Sequence, residues 1–434
     1  MTRATPGGGR VRAYLDHAAT SAMPEEVLVA YTEALRLVGN PASTHGHGQR
    51  ASEVLEQARE RLSRALGCDP AELILTGGGT ESINLALKGM FWARRAKLGG
   101  EPVLLVAEGE HHATIEAAEW LRDAQGARLR WLPVDGEGAL HPETLASAIA
   151  EEGAENIALV SFLWANNEVG AVQPVAELCR IAAEAGVPTH VDAVSALGQL
   201  PIDFAASGAS AVSVSAHKIG GPVGVGALVL GRRTAAEPLL HGGTQQRARS
   251  GTQDVAGAVA FAAALDLAVD ADGRPDPVRT ARLAALRDRL ISGVREIDPT
   301  AVLRGPDPAP ASSPDRASAP DRASAPEPAE GKESAPAEDP SRLPGNAHFT
   351  FPGCQGDSLV FLLDAAGVSV SVGSACRAGV AEVSHVLLAM GVPEREAAGA
   401  LRFTLGPETR DEEVDALLDA LPAALERARA AGLS

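Results

Sequence analysis

Apolar, strand-like segments alternate with amphipathic, helix-like segments through the first two-thirds of this 434-residue chain. The predicted elements are strands at 71–76, 103–107, 128–134, 157–164, 189–192, 211–214 and 226–230, and helices at 81–95, 113–122, 142–150, 175–185 and 254–270. Such alternation is typical of a mostly parallel sheet packed against helices. The sequence therefore predicts an α/β fold with its ligand site at the carboxyl ends of the strands.

The last third of the chain mixes helices with short strands and contains a segment of unusual composition. Residues 306–340 are almost entirely Pro, Ala, Ser, Asp and Glu. Such a segment cannot bury enough apolar area to order itself, so we expect a disordered surface insertion, with a partner-binding segment as the alternative. We assign 15–270 to a large domain, and 1–14 with 271–434 to a smaller α+β domain.

Composition argues against several classes of protein. The chain carries 38 basic and 56 acidic residues, a net charge of −18, which argues against direct binding to nucleic acid. No apolar run approaches a membrane span, and the first ten residues lack the apolar region of a secretory signal. The four cysteines show neither a disulfide framework nor zinc-ligand spacing. We therefore expect a cytoplasmic protein with no membrane partner and no bound metal.

Two charged residues end neighbouring predicted strands. Asp192 follows the apolar run 187–191, and Lys218 follows the strand at 211–214, in Ser213-Val-Ser-Ala-His-Lys-Ile-Gly-Gly-Pro222. An enzyme that uses pyridoxal 5'-phosphate (PLP) needs such a pair, because the lysine forms a Schiff base and the acid keeps the pyridine nitrogen protonated. A buried Lys–Asp pair that only supports the core would explain the spacing equally well.

A glycine-rich turn follows the strand at 71–76, in Thr76-Gly-Gly-Gly-Thr-Glu-Ser82. Glycines let the backbone approach a ligand, and a helix N-terminus offers free N–H groups to an anion. Gly79 and Thr80 are thus candidates for holding a phosphate. The spacing is not that of a P-loop or a dinucleotide site, and many turns between a strand and a helix are glycine-rich.

Three further segments offer polar side chains. His111 follows the strand at 103–107 and could stack on a flat cofactor, although a capping or core histidine is more common. Asn167, in Trp164-Ala-Asn-Asn-Glu-Val-Gly170, could bind a polar ring substituent, or it could form local bonds in a turn. The loop at 40–47 could close a pocket or simply make a turn.

Cys376 and Arg402 are the candidates in the last third. Cys376 lies in Ser371-Val-Gly-Ser-Ala-Cys-Arg-Ala-Gly379, a predicted exposed loop, where a thiol with a lowered pKa could act as a nucleophile. An incidental surface cysteine is the alternative. Arg402 is a single arginine in an apolar strand, which suits bidentate capture of a carboxylate or a structural salt bridge.

Together these motifs resemble those of the cysteine desulfurases, PLP enzymes with the class V aminotransferase fold. The resemblance extends from Tyr14 to about Gly406, apart from the insertion. It is carried by short motifs that occur in the same order along the chain: Gly39-Asn-Pro-Ala-Ser43, Gly78-Gly-Thr-Glu-Ser82, Glu110-His111, Asn166-Asn-Glu-Val-Gly170, His190-Val-Asp-Ala193, Ser215-Ala-His-Lys218, Gly220-Gly-Pro222, Arg249-Ser-Gly-Thr252, Gly373-Ser-Ala-Cys376 and Leu401-Arg-Phe403. The spacing from Cys376 to Ser384 resembles the long-loop, NifS/IscS-like group.

The resemblance implies a fold type I, aspartate aminotransferase-like PLP enzyme that converts L-cysteine to L-alanine. Lys218 would bind the cofactor, Asp192 would pair with its ring nitrogen, and His111 would stack on its ring. Asn167 would bond the ring hydroxyl or the substrate. The remaining implied cofactor contacts are to the phosphate: Gly79, Thr80, Ser215 and His217, with Thr252 from the other subunit of a homodimer.

The same resemblance implies the substrate contacts and the fate of the sulfur. Arg402 would bind the substrate carboxylate, near the loop of Asn40. Cys376, in the loop at 371–384, would accept the sulfur as a persulfide. That sulfur would pass to an acceptor protein, which could be an iron–sulfur scaffold, a tRNA-thiolation enzyme or a sulfur carrier.

The chain departs from the pattern of the family at a few positions. Ser195 replaces a glutamine that bonds the cofactor's ring oxygen in the family, and Thr244 and Gln246 replace Gly and Glu. The alternatives are therefore a selenocysteine lyase, a β-lyase or an aminotransferase of the same fold, or a sulfur-relay paralogue with low turnover. Only an enzyme that transfers sulfur through the protein needs the thiol of Cys376.

Overall fold

The computed structural model describes residues 12–98, 101–243, 246–308, 341–373 and 383–431. Its strands, in chain order, are β1 Ala13–Tyr14, β2 Leu73–Thr76, β3 Val103–Ala107, β4 Arg128–Leu132, β5 Ile157–Leu163, β6 Thr189–Asp192, β7 Ala211–Ser215, β8 Gly226–Leu230, β9 Val302–Arg304, β10 Asn346–Thr350, β11 Val368–Ser369 and β12 Ala400–Thr404. Its helices are α1 Glu25–Ala34, α2 Gly46–Ala65, α3 Gly79–Asn84, α4 Met90–Arg95, α5 His112–Gln125, α6 Pro142–Glu152, α7 Val175–Glu184, α8 Phe204–Ser207, α9 Val255–Ala268, α10 Pro277–Ile297, α11 Gly356–Ala365, α12 His385–Ala389, α13 Glu394–Ala397 and α14 Asp411–Ala430.

In the described ranges, seven strands form the central sheet, in the order β2-β8-β7-β6-β5-β3-β4. Its pairs are parallel except those of β8, which runs antiparallel to both β2 and β7. Strands β3, β5 and β6 are buried along their whole length, which explains the largely apolar sequences of β3 and β5. The predicted α/β fold with a mostly parallel sheet is confirmed.

The register of the central strands fixes where the site lies. Asp192 ends β6 and pairs with Leu163, which ends β5, and with Ser213 on β7. Because the carboxyl ends of these parallel strands meet at one edge of the sheet, residues that follow them come together there. Lys218 follows β7 by one short turn, Ala216–Ile219.

The sequence analysis did not predict α1 or α2, the two helices before β2. Helix α2 is 20 residues long, and Ala51, Leu55, Ala58 and Leu62 are buried on one face. Their spacing is a helical signal, although the mean hydropathy of this segment is low. Both helices pack on α9, whose residues are apolar nearly all round because it lies between them and the sheet.

Apart from the hydrophobic core around the central sheet, another core is formed mostly by the last third of the chain. Strands β12, β10 and β9 form an antiparallel sheet, and β1 pairs with β11. Helices α10, α11 and α14 pack against them around Phe349, Phe351 and Phe403. The division into a large domain, 15–270, and a smaller domain, 1–14 with 271–434, stays a prediction.

The predicted insertion falls largely on 309–340, outside the described residues. Arg342 is almost fully buried, and it holds the chain on both sides of the insertion. Its guanidinium donates to the carbonyls of Pro306 (2.5 Å) and Val169 (2.9 Å) and also to Arg304 O. The chain therefore leaves and re-enters the fold beside the turn at 166–170.

No helix in the described part of the chain is long and apolar enough to cross a membrane. The cysteines in that part, Cys68, Cys179 and Cys354, are not in disulfide bonds. Burial raises the pKa of Cys68 to about 12 and that of Cys179 to about 11, so these thiols stay protonated.

Candidate active site

A cavity of about 370 Å³ lies at the carboxyl ends of β5, β6 and β7. Most of the residues predicted to bind cofactor or substrate line it: Gly79, Thr80, His111, Asn167, Asp192, Ser195, Ser215, His217, Lys218 and Arg402. These residues come from eight separate segments between 79 and 402, so the fold has brought together what the sequence separates.

Lys218 projects into the cavity from the short turn after β7. Its Nζ donates to the carbonyl oxygens of Ala18 and Ala19, the latter at 3.1 Å. Burial, together with the positive charge of Arg402, lowers the pKa of Lys218 to about 8, although Asp192 opposes this shift. More of this amine is neutral at physiological pH than in an exposed lysine, as a nucleophile toward an aldehyde requires.

Asp192 is fully buried at the end of β6. Its Oδ1 accepts a hydrogen bond of 2.9 Å from Val194 N. Burial raises the pKa of Asp192 to about 6, while this hydrogen bond and Lys218 oppose the rise. Burial and the charge of Asp192 also raise the pKa of Glu110 well above its usual range. Glu110 is therefore the carboxyl group that keeps its proton, and Asp192 is the one that ionises.

His111 is the N-cap residue of α5, as the capping alternative anticipated, and it also lines the cavity. Its Nδ1 accepts from Ala113 N at 3.1 Å. Burial and the positive charge of Lys218 lower the pKa of His111 to about 4, so the ring is neutral. Because Nδ1 accepts a hydrogen bond, the proton of the neutral ring is on Nε2.

The glycine-rich turn between β2 and α3 has a backbone that only glycine adopts readily. Gly78 has φ +132°, and a Cβ on Gly79 would lie 2.8 Å from Val194 Cγ2. Glu81 holds the turn, because its Oε2 accepts from Gly77 N (2.7 Å) and its Oε1 pairs with Arg249 Nε (2.9 Å). The turn therefore leaves open the space that a phosphate group needs.

The donors around this turn fit a cofactor with a phosphate group. Ser215 Oγ is buried and has no hydrogen-bond partner in the described part of the chain. Thr80 supplies a second hydroxyl group to the same cavity. Burial and Lys218 lower the pKa of His217 to about 4, so this ring is neutral, and its Nδ1 lies 3.3 Å from Thr20 Oγ1. An unpartnered buried hydroxyl in the same cavity as Lys218 is consistent with PLP.

Arg402 on β12 is held on two sides. One guanidinium nitrogen donates to Asn167 O (3.0 Å), and another forms a salt bridge with Asp16 Oδ1 (2.8 Å). Its Nε is buried without a partner among the described residues. The structural salt bridge considered from the sequence is thus present, and Nε remains for a ligand. Sequence reasoning assigned no role to Asp16.

Two predicted site residues that the structure describes, Asn40 and Thr252, do not line this cavity. Asn40 makes a turn, in which its Oδ1 accepts from Ala42 N (2.9 Å). Thr252 is exposed, and its role in another subunit stays a prediction. Cys376 lies outside the described residues, so its role stays a prediction.

Two positions that depart from the family pattern have different surroundings. Ser195 lines the cavity and also a neighbouring cavity of about 240 Å³ on the other side of Lys218. Gln246 has a backbone role, since its amide donates to Leu75 O (2.8 Å) and accepts from Leu75 N (3.0 Å). A glutamate there could not make the first bond. Thr244 lies outside the described residues.

Comparison with known proteins finds similarity along nearly the whole chain. Residues 13–313 match the family model described as aminotransferase class-V. An IscS-like cysteine desulfurase of Mycobacterium tuberculosis is 47% identical over 424 residues, 97% of this chain and 98% of that protein. A solved NifS-like protein is 32% identical with a TM-score of 0.79, over 96% of this chain and 100% of that one. A structure titled SspA in complex with cysteine is 26% identical with a TM-score of 0.71, over 92% and 100%.

The sheet, the lysine site and the family match together define a class V aminotransferase, a class of PLP-dependent enzymes. Within that class the chain belongs to the IscS/NifS-like cysteine desulfurases. The predicted family, fold and enzyme class are thereby confirmed.

Proposed function

We propose that this desulfurase removes sulfur from L-cysteine with PLP as its cofactor, giving L-alanine and a persulfide on Cys376. The observation that carries the proposal is the convergence of Lys218, Asp192, His111 and Arg402 on one cavity. A lysine with a lowered pKa, an ionised acid, a neutral imidazole and a guanidinium are the groups that this reaction needs.

PLP, when bound, supplies an aldehyde that condenses with amines and a ring that takes up electrons from the substrate carbon skeleton. Lys218 would hold it covalently, and Asp192 would keep its pyridine nitrogen protonated. Thr80, Ser215 and the Gly79 turn would hold its phosphate. Ser195 is too short to reach as far as a glutamine, so any contact it makes with the ring oxygen would pass through water.

The protein groups would then divide the proton transfers. Once released by the substrate amine, Lys218 would take the Cα proton with its Nζ, because its lowered pKa leaves a neutral amine available. His111 would act as a proton donor or acceptor through its Nε2. Arg402 would bind the substrate carboxylate while Asp16 and Asn167 hold its guanidinium in place.

In the sulfur-transfer step the thiolate of Cys376 would attack the substrate sulfur. A sulfur–sulfur bond forms as the carbon–sulfur bond breaks, and the bonding electron pair stays with the substrate carbon, which is then protonated. The sulfur is oxidised and the carbon is reduced, so the step needs no external oxidant. The structure titled SspA in complex with cysteine supports L-cysteine as the substrate class.

The proposal extends to the setting of the enzyme. A homodimer with a shared site would bring Thr252 of one subunit to the phosphate of the other. A sulfur acceptor from iron–sulfur cluster assembly or thiolation, in a reducing cytoplasm, would take the persulfide sulfur. Neither direct nucleic-acid binding nor a membrane partner is part of the proposal.

Alanine and sulfide release from L-cysteine with dithiothreitol, in wild type and Cys376→Ala, tests the function. We expect turnover in the wild type and its collapse in the variant, while the absorbance of bound PLP persists. Turnover that survives in Cys376→Ala would instead identify a β-lyase or selenocysteine lyase. Bound PLP without turnover in either protein would point to a sulfur-relay protein.

A further inference from the structure

The stretch that contains Cys376 is flanked in the sequence by Gly373 and Ser384, both of which the structure describes. Gly373 lies two residues after Ser371. The backbone of Ser371 exchanges two hydrogen bonds with that of Arg402 on β12 (2.6 and 3.3 Å). Ser384 is the N-cap residue of α12, where its Oγ accepts a backbone N–H at 3.2 Å. Both flanking residues are therefore attached to regular elements near the cavity.

Glu168 approaches both of these residues with one oxygen atom. Ser384 Oγ donates a hydrogen bond of 2.5 Å to Glu168 Oε2. A Cβ built on Gly373 would lie 3.1 Å from the same oxygen. Glu168 is 2% exposed, so its hydrogen bond with Ser384 lies inside the protein. Losing one partner of a buried hydrogen bond leaves the other polar group unsatisfied.

The turn that carries Glu168 is itself held firmly. Asn166 Oδ1 accepts from Glu168 N at 2.8 Å, and Asn346 Nδ2 donates to Glu168 O at 3.0 Å. The next residue, Asn167, accepts a hydrogen bond from Arg402 through its carbonyl oxygen. One turn thus joins the proposed substrate-binding arginine to the residues that flank the Cys376 stretch.

A second buried polar side chain meets Gly373. The Nε2 of His348 would lie 3.3 Å from a Cβ on Gly373, and neither ring nitrogen has a partner in the described chain. Burial and Arg402 lower the pKa of His348 to about 3, so the ring is neutral. Gly373 has φ +91°, which favours glycine, and a Cβ there would make tight contacts with both the imidazole and the carboxyl group of Glu168.

We propose that Glu168 is a positioning residue for sulfur transfer, because its buried carboxyl group accepts a hydrogen bond from Ser384 and lies beside Gly373, the two residues that flank the Cys376 stretch. This inference rests on the desulfurase function proposed above. Glu168 does not line the cofactor cavity, whereas Gly373 does, so Glu168 acts through Ser384 and Gly373 rather than on the substrate. A group that must meet the substrate sulfur in line is sensitive to small displacements, and errors of about 1 Å can cost about 100-fold in rate.

Glu168→Met tests the proposal, with Glu168→Gln as the conservative variant that can still accept from Ser384. In Glu168→Met we expect kcat, and persulfide formed on Cys376 in a single turnover, to fall about 10- to 100-fold. The absorbance of bound PLP and the KM for L-cysteine should stay within about twofold of wild type. Glu168→Gln should recover to within about threefold of wild-type kcat.

Other outcomes would overturn the proposal in distinguishable ways. Unchanged kcat in Glu168→Met, or loss of bound PLP in step with kcat, would show that Glu168 does not act on sulfur transfer specifically. If wild type itself forms no persulfide on Cys376, the proposed function fails, and this inference fails with it.

A second pair of variants approaches the same contact from its other side. Gly373→Ala places a methyl group against Glu168 and His348, whereas Gly391→Ala imposes a similar φ of +78° with no atom within 4 Å. We expect Gly373→Ala to form persulfide at least about 10-fold more slowly than Gly391→Ala. Equal rates in the two variants would refute the positioning role, even if Glu168→Met does not fold.

Discussion

At the scale of single residues, Lys218 shows how the fold changes the chemistry of a side chain. Burial and the positive charge of Arg402 lower its pKa to about 8, although Asp192 opposes the shift. Its nucleophilic form therefore becomes abundant at a pH where an exposed lysine is almost entirely protonated. The same surroundings leave Asp192 ionised at neutral pH, because its raised pKa is only about 6.

The rate at which the apo-protein captures PLP covalently should depend on this pKa. A rate proportional to neutral Lys218 rises about tenfold per pH unit below its pKa and levels off above about pH 8. Arg402→Met removes a positive charge that lowers the pKa of Lys218, so its midpoint should move to higher pH. Stopped-flow absorbance at a series of pH values measures the capture rate in wild type and in Arg402→Met. A rate that still climbs at pH 10 in wild type, as for an ordinary lysine, would contradict the shifted pKa.

At the scale of elements, the contact between β8 and the glycine-rich turn decides the shape of the phosphate end of the cavity. Gly226, the first residue of β8, lies so close to Gly78 that a Cβ would be 2.7 Å from two of its backbone atoms. Both atoms are main chain and have little room to move. A strand–turn contact this close requires glycine at position 226.

Gly226→Ala should therefore lower the free energy of unfolding by roughly 1–3 kcal/mol, as overpacking does. It should also weaken PLP binding, because the turn at 78–80 must shift. Denaturant midpoints of the apo-protein and PLP titrations measure the two effects. Gly46→Ala, at the first residue of α2 with no atom within 4 Å, is the matched control and should leave both unchanged. PLP affinity equal in the two variants would mean that the turn does not depend on this contact.

At the scale of the whole molecule, the insertion is separable from the fold. Arg342 joins Pro306, Arg304 and Val169, and Val172 N donates to Ser341 O (3.0 Å), so residues beside the two ends of 309–340 are already bonded to the same turn. The entropy of closing a loop changes only slowly with its length. The fold therefore does not depend on the length of the segment.

Replacing 309–340 by a short glycine–serine linker should shift Tm by no more than about 2 °C and leave bound PLP unchanged. Arg342→Met in the full-length chain should lower Tm by about 5 °C or more, because it leaves several buried carbonyl oxygens without donors. Calorimetry of the two proteins makes the comparison. A deletion variant that loses as much stability as Arg342→Met would show that the segment contributes to the fold.

The proposed sharing of the site between subunits is also a property of the whole assembly. Lys218→Ala and Thr252→Asp homodimers should both be nearly inactive, the second because a carboxylate would repel the phosphate of PLP. Mixed dimers should regain activity, since one of their two sites has both wild-type residues, and a random mixture should reach about one quarter of wild-type activity. No recovery on mixing would mean that Thr252 acts within its own subunit.

Most of the architecture was predictable because it depends on local pattern. Strands β3, β6 and β8 were predicted at the bounds observed, and β3 and β8 are short apolar runs between clear breaks. Helix α2 was missed because its polar face dominates its composition, although its buried residues keep helical spacing. The helix predicted at 81–95 proved to be α3 and α4 joined by a π turn at Leu85–Gly89, which no local pattern indicates.

The sequence by itself determined the α/β fold, the family and the residue types at the site, because periodicity and ordered motifs are properties of the chain. Only the tertiary structure decided the rest. The lowered pKa of Lys218, the pairing of Arg402 with Asp16 and the approach of Glu168 to both Gly373 and Ser384 involve residues more than 150 positions apart. Burial and the register of neighbouring strands, which create these contacts, are set by packing between segments that no local pattern connects.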